Sequence, residues 1–461
     1  MKLSHRLLYF ILGTLILLFP AFLNGFPLMY SDAGTYIFSG FELINPLDRP
    51  IFYGVFLRHF SMAESLWFVV IMQSLICFWL IHLLTRSILG NSSKVRLFTL
   101  IISACLIIST GIGSYVSQVT PDIFSSFWIL SLSILLLNTN LSFLDKFLLW
   151  IVFCVSLLFH LSNFISFFIF LIIILTYLFA VRKKGKQFPV NFTLNLLIGL
   201  AIFISAFFTH ASVNYKYGGK FWFSQSSHVF LMGRISENGL LKKVLTDEEN
   251  QGRIYNLTQY KDELPPRAET FIWDSFSPIY KTDGWKDTAG EYKKILKIAF
   301  TSWKYLPKNI LECAKGSVKQ FFSINNGHGI GEYPEGTPPY EMIKKYFPRE
   351  FNEFRACNQQ RNKIHFDLEN YLQKIWMIGF LIFLFTIRVL PNLYSIPRQL
   401  KLLFYLVTLS LACNAFVCGT FVNVVDRLQG RIFWLIPLIF LLMFYQVFSR
   451  KIDKFLLTNK D

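Results

Sequence analysis

The sequence predicts an all-α polytopic membrane protein, with about ten transmembrane helices and one large extracytoplasmic loop domain. The prediction rests on composition and on length of the apolar runs. Of the 461 residues, 53% are hydrophobic and only 16% are charged. A soluble chain carries roughly 25% charged residues, so much of this surface must face something other than water. Repeated apolar runs of about 20 residues are each long enough to cross a hydrocarbon core.

The apolar runs predict the individual spans. They lie at 7–27, 64–84, 96–112, 122–138, 143–159, 161–181, 190–210, 371–390, 400–421 and 431–449. The first run lacks a small-x-small cleavage site, so we expect a retained helix and not a signal peptide. The turn at His160–Asn163 is tight, which leaves nine or eleven spans open as alternatives.

Three domains follow from this pattern. Residues 1–210 form an N-terminal transmembrane module of about seven helices, 211–370 an extracytoplasmic loop domain, and 371–461 the C-terminal transmembrane helices. Within the loop, Glu291–Phe300 and Glu350–Ile364 are predicted to be helical, which favours a small helical or mixed cap. Cys313 and Cys357 also lie in this loop and could pair in an oxidising compartment.

The formal net charge of +17 is explained by orientation in a membrane, so no nucleic-acid partner is expected. Basic residues gather in alternate connections, as cytoplasmic loops do. These clusters are Lys2 and Arg6, Arg86 to Arg96, Lys146, Arg182 to Lys186, Arg388 to Lys401, and Arg450 to Lys454. Both termini are therefore expected in the cytoplasm. The compact loops favour a bacterial inner (cytoplasmic) membrane. A site for anionic membrane lipids at Arg182–Lys186 is the functional alternative for the densest cluster.

Ionisable residues are scarce in the middle of the predicted helices and gather at the outer rim. A charge at the bilayer centre costs about 2.5–3.5 kcal/mol, a cost that transporters accept in order to bind ions or protons. The distribution therefore favours a reaction at the outer membrane interface over passage through the membrane. The rim residues are Asp32, Glu42, Asp48, Asp122 and Asp426, with Arg49, Arg58, Arg427 and Arg431.

Two segments carry a resemblance to a known class of enzymes. Asp32 follows the first helix, Tyr36 comes shortly after it, and Arg49–Pro50 precedes the second helix. Thr120–Asp122 then opens the fourth helix with a Pro-acid pair. This pattern, over about residues 1–210, resembles the GT-C superfamily of membrane glycosyltransferases, which includes protein O-mannosyltransferases and lipid A aminoarabinose transferases.

The resemblance implies a GT-C-like fold and a sugar donor carried on a polyprenyl phosphate. Transfer would occur at the outer face by inverting displacement, to an unknown glycan, lipid or protein acceptor. Asp32 would be the catalytic base, and general-base help is typically worth about 10²–10⁴-fold. For Asp122, the other catalytic candidate, three roles stay open: orienting the acceptor, supporting Asp32, or helping to hold a divalent metal. Both acids could instead be helix caps.

Arginine suits a departing phosphate because its paired N–H groups match the phosphate oxygens. Arg427 and Arg431, with Arg49 as a lesser candidate, are therefore predicted to bind the donor phosphate. The alternatives are that the first two reach toward lipid head groups and that Arg49 pairs with Asp48. Weaker substrate-binding candidates are Tyr36, Arg58, His59 and His228. The aromatic stretch at 221–228 suits either a sugar ring or the membrane interface.

Two other functions compete with glycosyl transfer. A transporter or flippase for a lipid-linked saccharide would need polar residues in mid-membrane or an inverted repeat, and the sequence offers neither clearly. A polysaccharide polymerase or ligase would rely on outer arginines more than on Asp32. Loss of activity in an Asp32→Asn variant would separate the first function from the last.

Overall fold

A computed structural model describes residues 3–138, 140–184, 189–389 and 396–458. Regular structure in these ranges is helical, apart from one isolated bridge between Leu28 and Gln118. Lys2, Lys186 and the last three residues lie outside the described residues, as do the side chains of Arg450, Lys451 and Lys454. The location of both termini therefore stays a prediction.

The N-terminal part contains eleven α-helices. They are α1 Leu3–Leu17, α2 Phe19–Asn24, α3 Ser31–Glu42, α4 Phe52–Ser61, α5 Trp67–Leu89, α6 Ser93–Ser109, α7 Ile112–Ser117, α8 Phe124–Leu137, α9 Phe143–Phe159, α10 Leu161–Lys183 and α11 Val190–Gly218. A 3₁₀ turn at Pro121–Ile123 precedes α8.

The remaining helices form the loop region and the C-terminal part. The loop region has α12 Ser227–Glu237, α13 Leu240–Glu249, α14 Ala268–Trp273, α15 Pro278–Lys281, α16 Glu291–Thr301, α17 Leu306–Phe322, α18 Pro338–Tyr346 and α19 Phe351–Ala356. The C-terminal part has α20 Asp367–Val389, α21 Arg398–Phe421, α22 Arg427–Phe433 and α23 Leu435–Thr458.

Six helical segments in the described ranges are long and apolar enough to cross a membrane, so the chain is a polytopic membrane protein. They are Trp67–Leu89, Leu161–Lys183, Val190–Gly218, Asp367–Val389, Arg398–Phe421 and Arg427–Val447. The other four predicted spans also coincide with helices, but α6 and α9 have 17 residues each, about 25 Å of helix. The first predicted span is divided between α1 and α2. Pro20, in the first turn of α2, has no backbone N–H with which to continue the hydrogen bonds of α1.

The predicted loop domain divides into two parts in the structure. Its predicted start at 211 falls inside α11, which continues to Gly218. Residues 227–305 form a helical lobe with a hydrophobic core of its own. By contrast, Ile324, Ile343 and Phe354 are buried in the same core as the membrane helices. The segment after 305 therefore packs against the helices of the N-terminal and C-terminal parts, which together form the membrane body.

The two helical predictions in the loop fare differently. The first is confirmed as α16. The second is confirmed only over α19 and a 3₁₀ turn at Gln359–Arg361. Cys313 and Cys357 are both free: the first lies on α17 beside Asn309, and the second is buried in the core of the membrane body.

Two contacts hold the segments that surround the site. Gln359 bonds to the backbone of Met29 in both directions, at 2.9 and 2.8 Å, and so fixes the entry to α3. Gln320 on α17 does the same to Val425, at 2.9 and 3.0 Å, and so fixes the entry to α22. The returning loop segment therefore positions both helices that carry the predicted site.

Candidate functional site

Asp32 lies in the first turn of α3, where an acid is favoured by the helix dipole. It is not the N-cap, which is Tyr30. Its carboxylate instead meets two arginines: Oδ1 is 3.0 Å from Nη1 of Arg49, and Oδ2 is 3.3 Å from Nη1 of Arg427. The side chain retains 21% exposure. Asp32 therefore joins two segments almost 400 residues apart and can still be reached.

Arg49 lies in the connection between α3 and α4. Its Nε donates to Oδ2 of Asp48 at 2.7 Å, so the predicted pairing with Asp48 exists alongside the pairing with Asp32. The guanidinium stands 5.1 Å from the ring centroid of Tyr36. Tyr36 therefore belongs to this site by contact with the arginine.

Asp122 and Arg431 form a second, deeper pair behind the first. Arg431 is fully buried and Asp122 is 2% exposed, and Nη1 of the arginine donates to Oδ1 at 2.8 Å. Oδ2 of Asp122 is also 3.6 Å from Nη1 of Arg427. The N-cap of the 3₁₀ turn is Thr120, so Asp122 does not serve as a cap. Asp122 thus contacts both Arg427 and Arg431, and its predicted roles stay predictions.

His160 and Ser162 complete the surroundings of Arg431. Nη2 of the arginine donates to Oγ of Ser162 at 2.8 Å, and Nη1 is 3.0 Å from Nε2 of His160. Because a guanidinium can only donate, Nε2 must accept. Nδ1 is 2.8 Å from Oγ of Ser162 and 3.2 Å from the backbone N of the same residue, at the N-cap position of α10. His160 is therefore a neutral imidazole held between an arginine and a hydroxyl.

Neither His160 nor Ser162 was among the predicted site residues. The signal in the sequence was three polar residues, His160, Ser162 and Asn163, at the tight turn between the apolar helices α9 and α10. That signal could not identify Arg431, 271 positions away, as the partner.

Arg427 begins α22 and stacks on Tyr30, with 3.8 Å between the guanidinium carbon and the ring centroid. Such a contact is worth about 0.5–2 kcal/mol. The Nε atom of Arg427 is buried and has no hydrogen-bond partner in the described part of the chain. Arg427 is 14% exposed and Arg431 is buried, so neither extends to lipid head groups. That alternative is wrong, since both side chains turn inward to acids.

A cavity of about 1240 Å³ lies against this cluster. Its polar wall carries Asp32, Arg49, Arg427, His160 and Ser162. Its apolar wall comes from α10, α21 and the start of α22, with Ile165, Val417, Phe421, Val422 and Leu428. Its third wall comes from the lobe and the chain leading to it, with Phe221, Trp222, Phe230, Trp273 and Lys293. The cavity therefore combines a charged end with apolar and aromatic surfaces.

The weaker predicted residues separate into two groups. Tyr36 and His228 line the cavity, although Nε2 of His228 bonds to the carbonyl of Gly284 at 3.0 Å within the lobe. Arg58 and His59 are exposed on α4, next to Phe41 and Phe60, and do not line it. The structure does not bring these two residues to the site.

The charges of the cluster balance one another. Asp32, Asp48 and Asp122 face Arg49, Arg427 and Arg431. Burial alone would raise the pKa of Asp32, but Arg49 and then Arg427 outweigh it and hold that pKa below its usual range. Asp32 is therefore ionised at neutral pH while both arginines contact it.

A divalent metal does not fit this arrangement. The described residues contain no group of three or more His, Cys, Asp and Glu side chains that could hold one. Asp122, predicted as a possible metal ligand, is already engaged by Arg431 and lies 3.6 Å from Arg427.

Comparisons with protein families, with curated proteins and with solved structures give no match for this chain.

Proposed function

We propose that the protein is a glycosyltransferase that moves a sugar from a polyprenyl-phosphate carrier to an acceptor on the outer face of the membrane, by inverting displacement. The observation that carries this proposal is the position of Asp32. The carboxylate contacts two arginines at the edge of a large cavity whose adjacent wall is apolar. A base, a phosphate-binding group and a surface for an isoprenoid tail are the three requirements of such a transfer.

Arg49 and Arg427 would receive the donor phosphate. Both line the cavity, and both contact the carboxylate of Asp32 there. As the bond to the sugar breaks, the leaving polyprenyl phosphate gains negative charge, which fixed guanidinium groups stabilise. Arg431 lies behind them and would act through its contacts with Asp122, which is also 3.6 Å from Arg427.

Asp32 would accept the acceptor's hydroxyl proton. The hydroxyl oxygen forms a bond to the anomeric carbon, and the carbon–oxygen bond to the phosphate breaks, with its electron pair leaving on the phosphate. In the resting site the two arginines make Asp32 a weak base. A bound phosphate would share those arginines and add negative charge nearby, both of which raise the pKa of Asp32. Donor binding would thus strengthen the base.

The test uses purified protein in proteoliposomes with a panel of polyprenyl-phosphate hexoses and a glycan extract as acceptor, and measures release of polyprenyl phosphate by mass. Asp32→Asn should lower the rate by about 10²–10⁴-fold, the usual contribution of a general base. Its binding of polyprenyl phosphate should persist, since both arginines remain. Arg427→Gln should weaken that binding by about tenfold or more.

A matched control is Glu42→Gln, which removes an acid from the last turn of α3 where it pairs with Lys345 at the surface. Its rate should equal that of the wild type, because an exposed pair contributes little. Near-normal transfer by Asp32→Asn would refute the base assignment. Movement of a lipid-linked saccharide across the bilayer, without release of polyprenyl phosphate, would favour a transporter.

A further inference from the structure

Two lysines lie at the third wall of the cavity, and one of them, Lys293, lines it. Lys293 on α16 places Nζ 3.5 Å from the ring centroid of Trp222, and Lys220 places its own Nζ 4.8 Å from the same ring. Among the described residues, the ion pairs that lysines form include neither Lys220 nor Lys293. This wall differs from the Asp32 end, where each arginine has a carboxylate partner.

Two acids near this wall have other partners. The carboxylate of Asp287 accepts the backbone N–H groups of Tyr292 and Lys293, at 3.0 and 3.3 Å, and so caps α16. Glu269 lines the cavity but lies 3.5 Å from Arg267. Partial burial lowers the pKa of Lys293, and Lys220 lowers it further, against the opposing effect of Asp287. The charge of Lys293 is therefore only partly compensated.

The same wall presents an aromatic surface. Trp273 is 43% exposed and packs on Trp285 at 5.5 Å and Phe230 at 6.1 Å between ring centroids. A supported, half-exposed indole that lines the same cavity as the ammonium group of Lys293 is suited to a sugar ring that bears a negative charge. The apolar C–H face of the ring lies on the indole, and the charged group reaches the ammonium.

A chain of hydrogen bonds connects this wall to the connection between α3 and α4, which carries Arg49. Nδ2 of Asn214 donates to the carbonyls of Trp222 and Phe223, at 2.7 and 3.0 Å. Nδ2 of Asn45 donates to Oδ1 of Asn214 at 2.8 Å, and Oδ1 of Asn45 accepts the backbone N–H of Ile51 at 3.2 Å. The wall therefore has a defined position relative to Arg49.

We infer that the wall formed by Trp222, Trp273 and Lys293 is the acceptor subsite, and that the acceptor is an anionic saccharide whose carboxylate or phosphate group is held by Lys293. This inference rests on the proposed function, and it names the acceptor that the transfer would use. The donor phosphate occupies the arginines, so the two substrates bind to different cations of one cavity.

The experiment measures binding of saccharide probes to the purified full-length protein by tryptophan fluorescence. The probes are a hyaluronan tetrasaccharide, which carries carboxylates, trehalose 6-phosphate, which carries a phosphate, and neutral isomaltotetraose. At least one acidic probe should bind about tenfold or more tightly than the neutral one, and the tighter acidic probe identifies the charged group. Lys293→Gln should remove that difference, as expected for loss of one charge-assisted hydrogen bond.

Lys294→Gln is the matched control, because Lys294 is the exposed neighbour on α16 and does not line the cavity. It should bind the acidic probes as the wild type does. Equal binding of acidic and neutral probes, binding of none of them, or an equal loss in both lysine variants would overturn the inference. Binding of polyprenyl phosphate is measured in parallel: its retention with failure of the acidic probes rejects only the acceptor subsite, whereas its absence rejects the donor site of the proposed function.

Discussion

Asp32 is the residue on which the site depends, because it is shared between Arg49 and Arg427. Each arginine reaches a different oxygen, so the carboxylate bridges the loop before α4 and the start of α22. Removing one partner of a buried ion pair leaves an uncompensated charge and costs about 3–5 kcal/mol in fully buried cases. At 21% exposure Asp32 should contribute less than that. It should nevertheless affect stability as well as activity.

The pH dependence of that contribution has a definite sign. The pKa of Asp32 is lower in the folded protein than in the unfolded chain, so the stabilisation is present above the unfolded pKa, about 3.9 for Asp, and is lost as the pH falls through the folded pKa. The difference in melting temperature between the wild type and Asp32→Asn should therefore be the same at pH 7 and pH 5.5, and should shrink only below about pH 4.

Thermal unfolding in detergent across this pH range provides the measurement. Glu42→Gln serves again as the control and should show a small difference throughout, because its pair with Lys345 is exposed. A difference that already disappears between pH 7 and pH 5.5 would mean that Asp32 is protonated near neutral pH, contrary to the two-arginine arrangement.

The sequence predicted which side chains belong to the site better than it predicted which residues those side chains contact. Asp32, Arg49 and Arg427 were predicted together and lie together. Asp122 was predicted either as a possible catalyst or as a support for Asp32; it is buried and contacts Arg427 and Arg431, and its role stays a prediction. His160 was passed over because a single histidine in a turn carries no periodic or motif signal. Its partner is fixed by the packing of α10 against the C-terminal helices, which local patterns do not encode.

At the scale of helices, the contact between α17 and α21 positions the start of α22. Gly316 and Gly419 face each other where the two helices meet, and a Cβ atom at position 419 would lie 2.5 Å from the backbone carbonyl of Gly316. Ser317 and Thr420 are 3.3 Å apart beside them. One turn further along α17, Gln320 holds Val425 just before Arg427.

Gly419→Ala should therefore destabilise the protein by about 1–3 kcal/mol, the usual cost of overpacking, because backbone atoms cannot move aside as a side chain can. Since the shift would pass through Val425 to Arg427, binding of polyprenyl phosphate should weaken as well. Thermal unfolding and the binding assay measure the two effects.

Gly379→Ala is the comparison for this substitution. Gly379 lies in the interior of α20, and a Cβ atom there would meet only a ring carbon of Phe440, at 4.0 Å. That change should be neutral or stabilise by up to about 1 kcal/mol through helix propensity. If both glycine variants behave alike, the close approach of α17 and α21 does not limit packing.

The apolar runs predicted where helices occur but not all of their boundaries. A long apolar run reports burial in lipid or core, so α5, α10, α11, α20 and α21 agree with expectation to within a few residues at most ends. α11 is the exception at its C-terminal end, extending eight residues past the predicted 210 to Gly218. The return of α17 to the membrane body was not predictable in this way. Its sequence is amphipathic, and that property does not indicate which partner covers the apolar face.

At the scale of the whole molecule, the cavity lies where the 227–305 lobe meets the membrane body. The lobe has a core of its own, and it contributes Phe230, Trp273 and Lys293 to the cavity walls. The body contributes the charged cluster and the apolar wall. One space therefore combines walls of different chemistry from the lobe and from the membrane body.

The orientation of the protein in the membrane can be tested by labelling introduced cysteines. Basic residues in alternate connections predict that the 182–184 turn lies in the cytoplasm and the lobe on the opposite side. In a variant with Cys105, Cys154 and Cys313 changed to Ser, Lys286→Cys on the lobe should react with a membrane-impermeant maleimide in intact spheroplasts. Lys184→Cys should react only after the membrane is permeabilised. Both lysines are exposed in the structure, so access depends on the side of the membrane and not on burial. The reverse labelling pattern would place the cavity on the cytoplasmic side, and a reaction at the outer face would then be impossible.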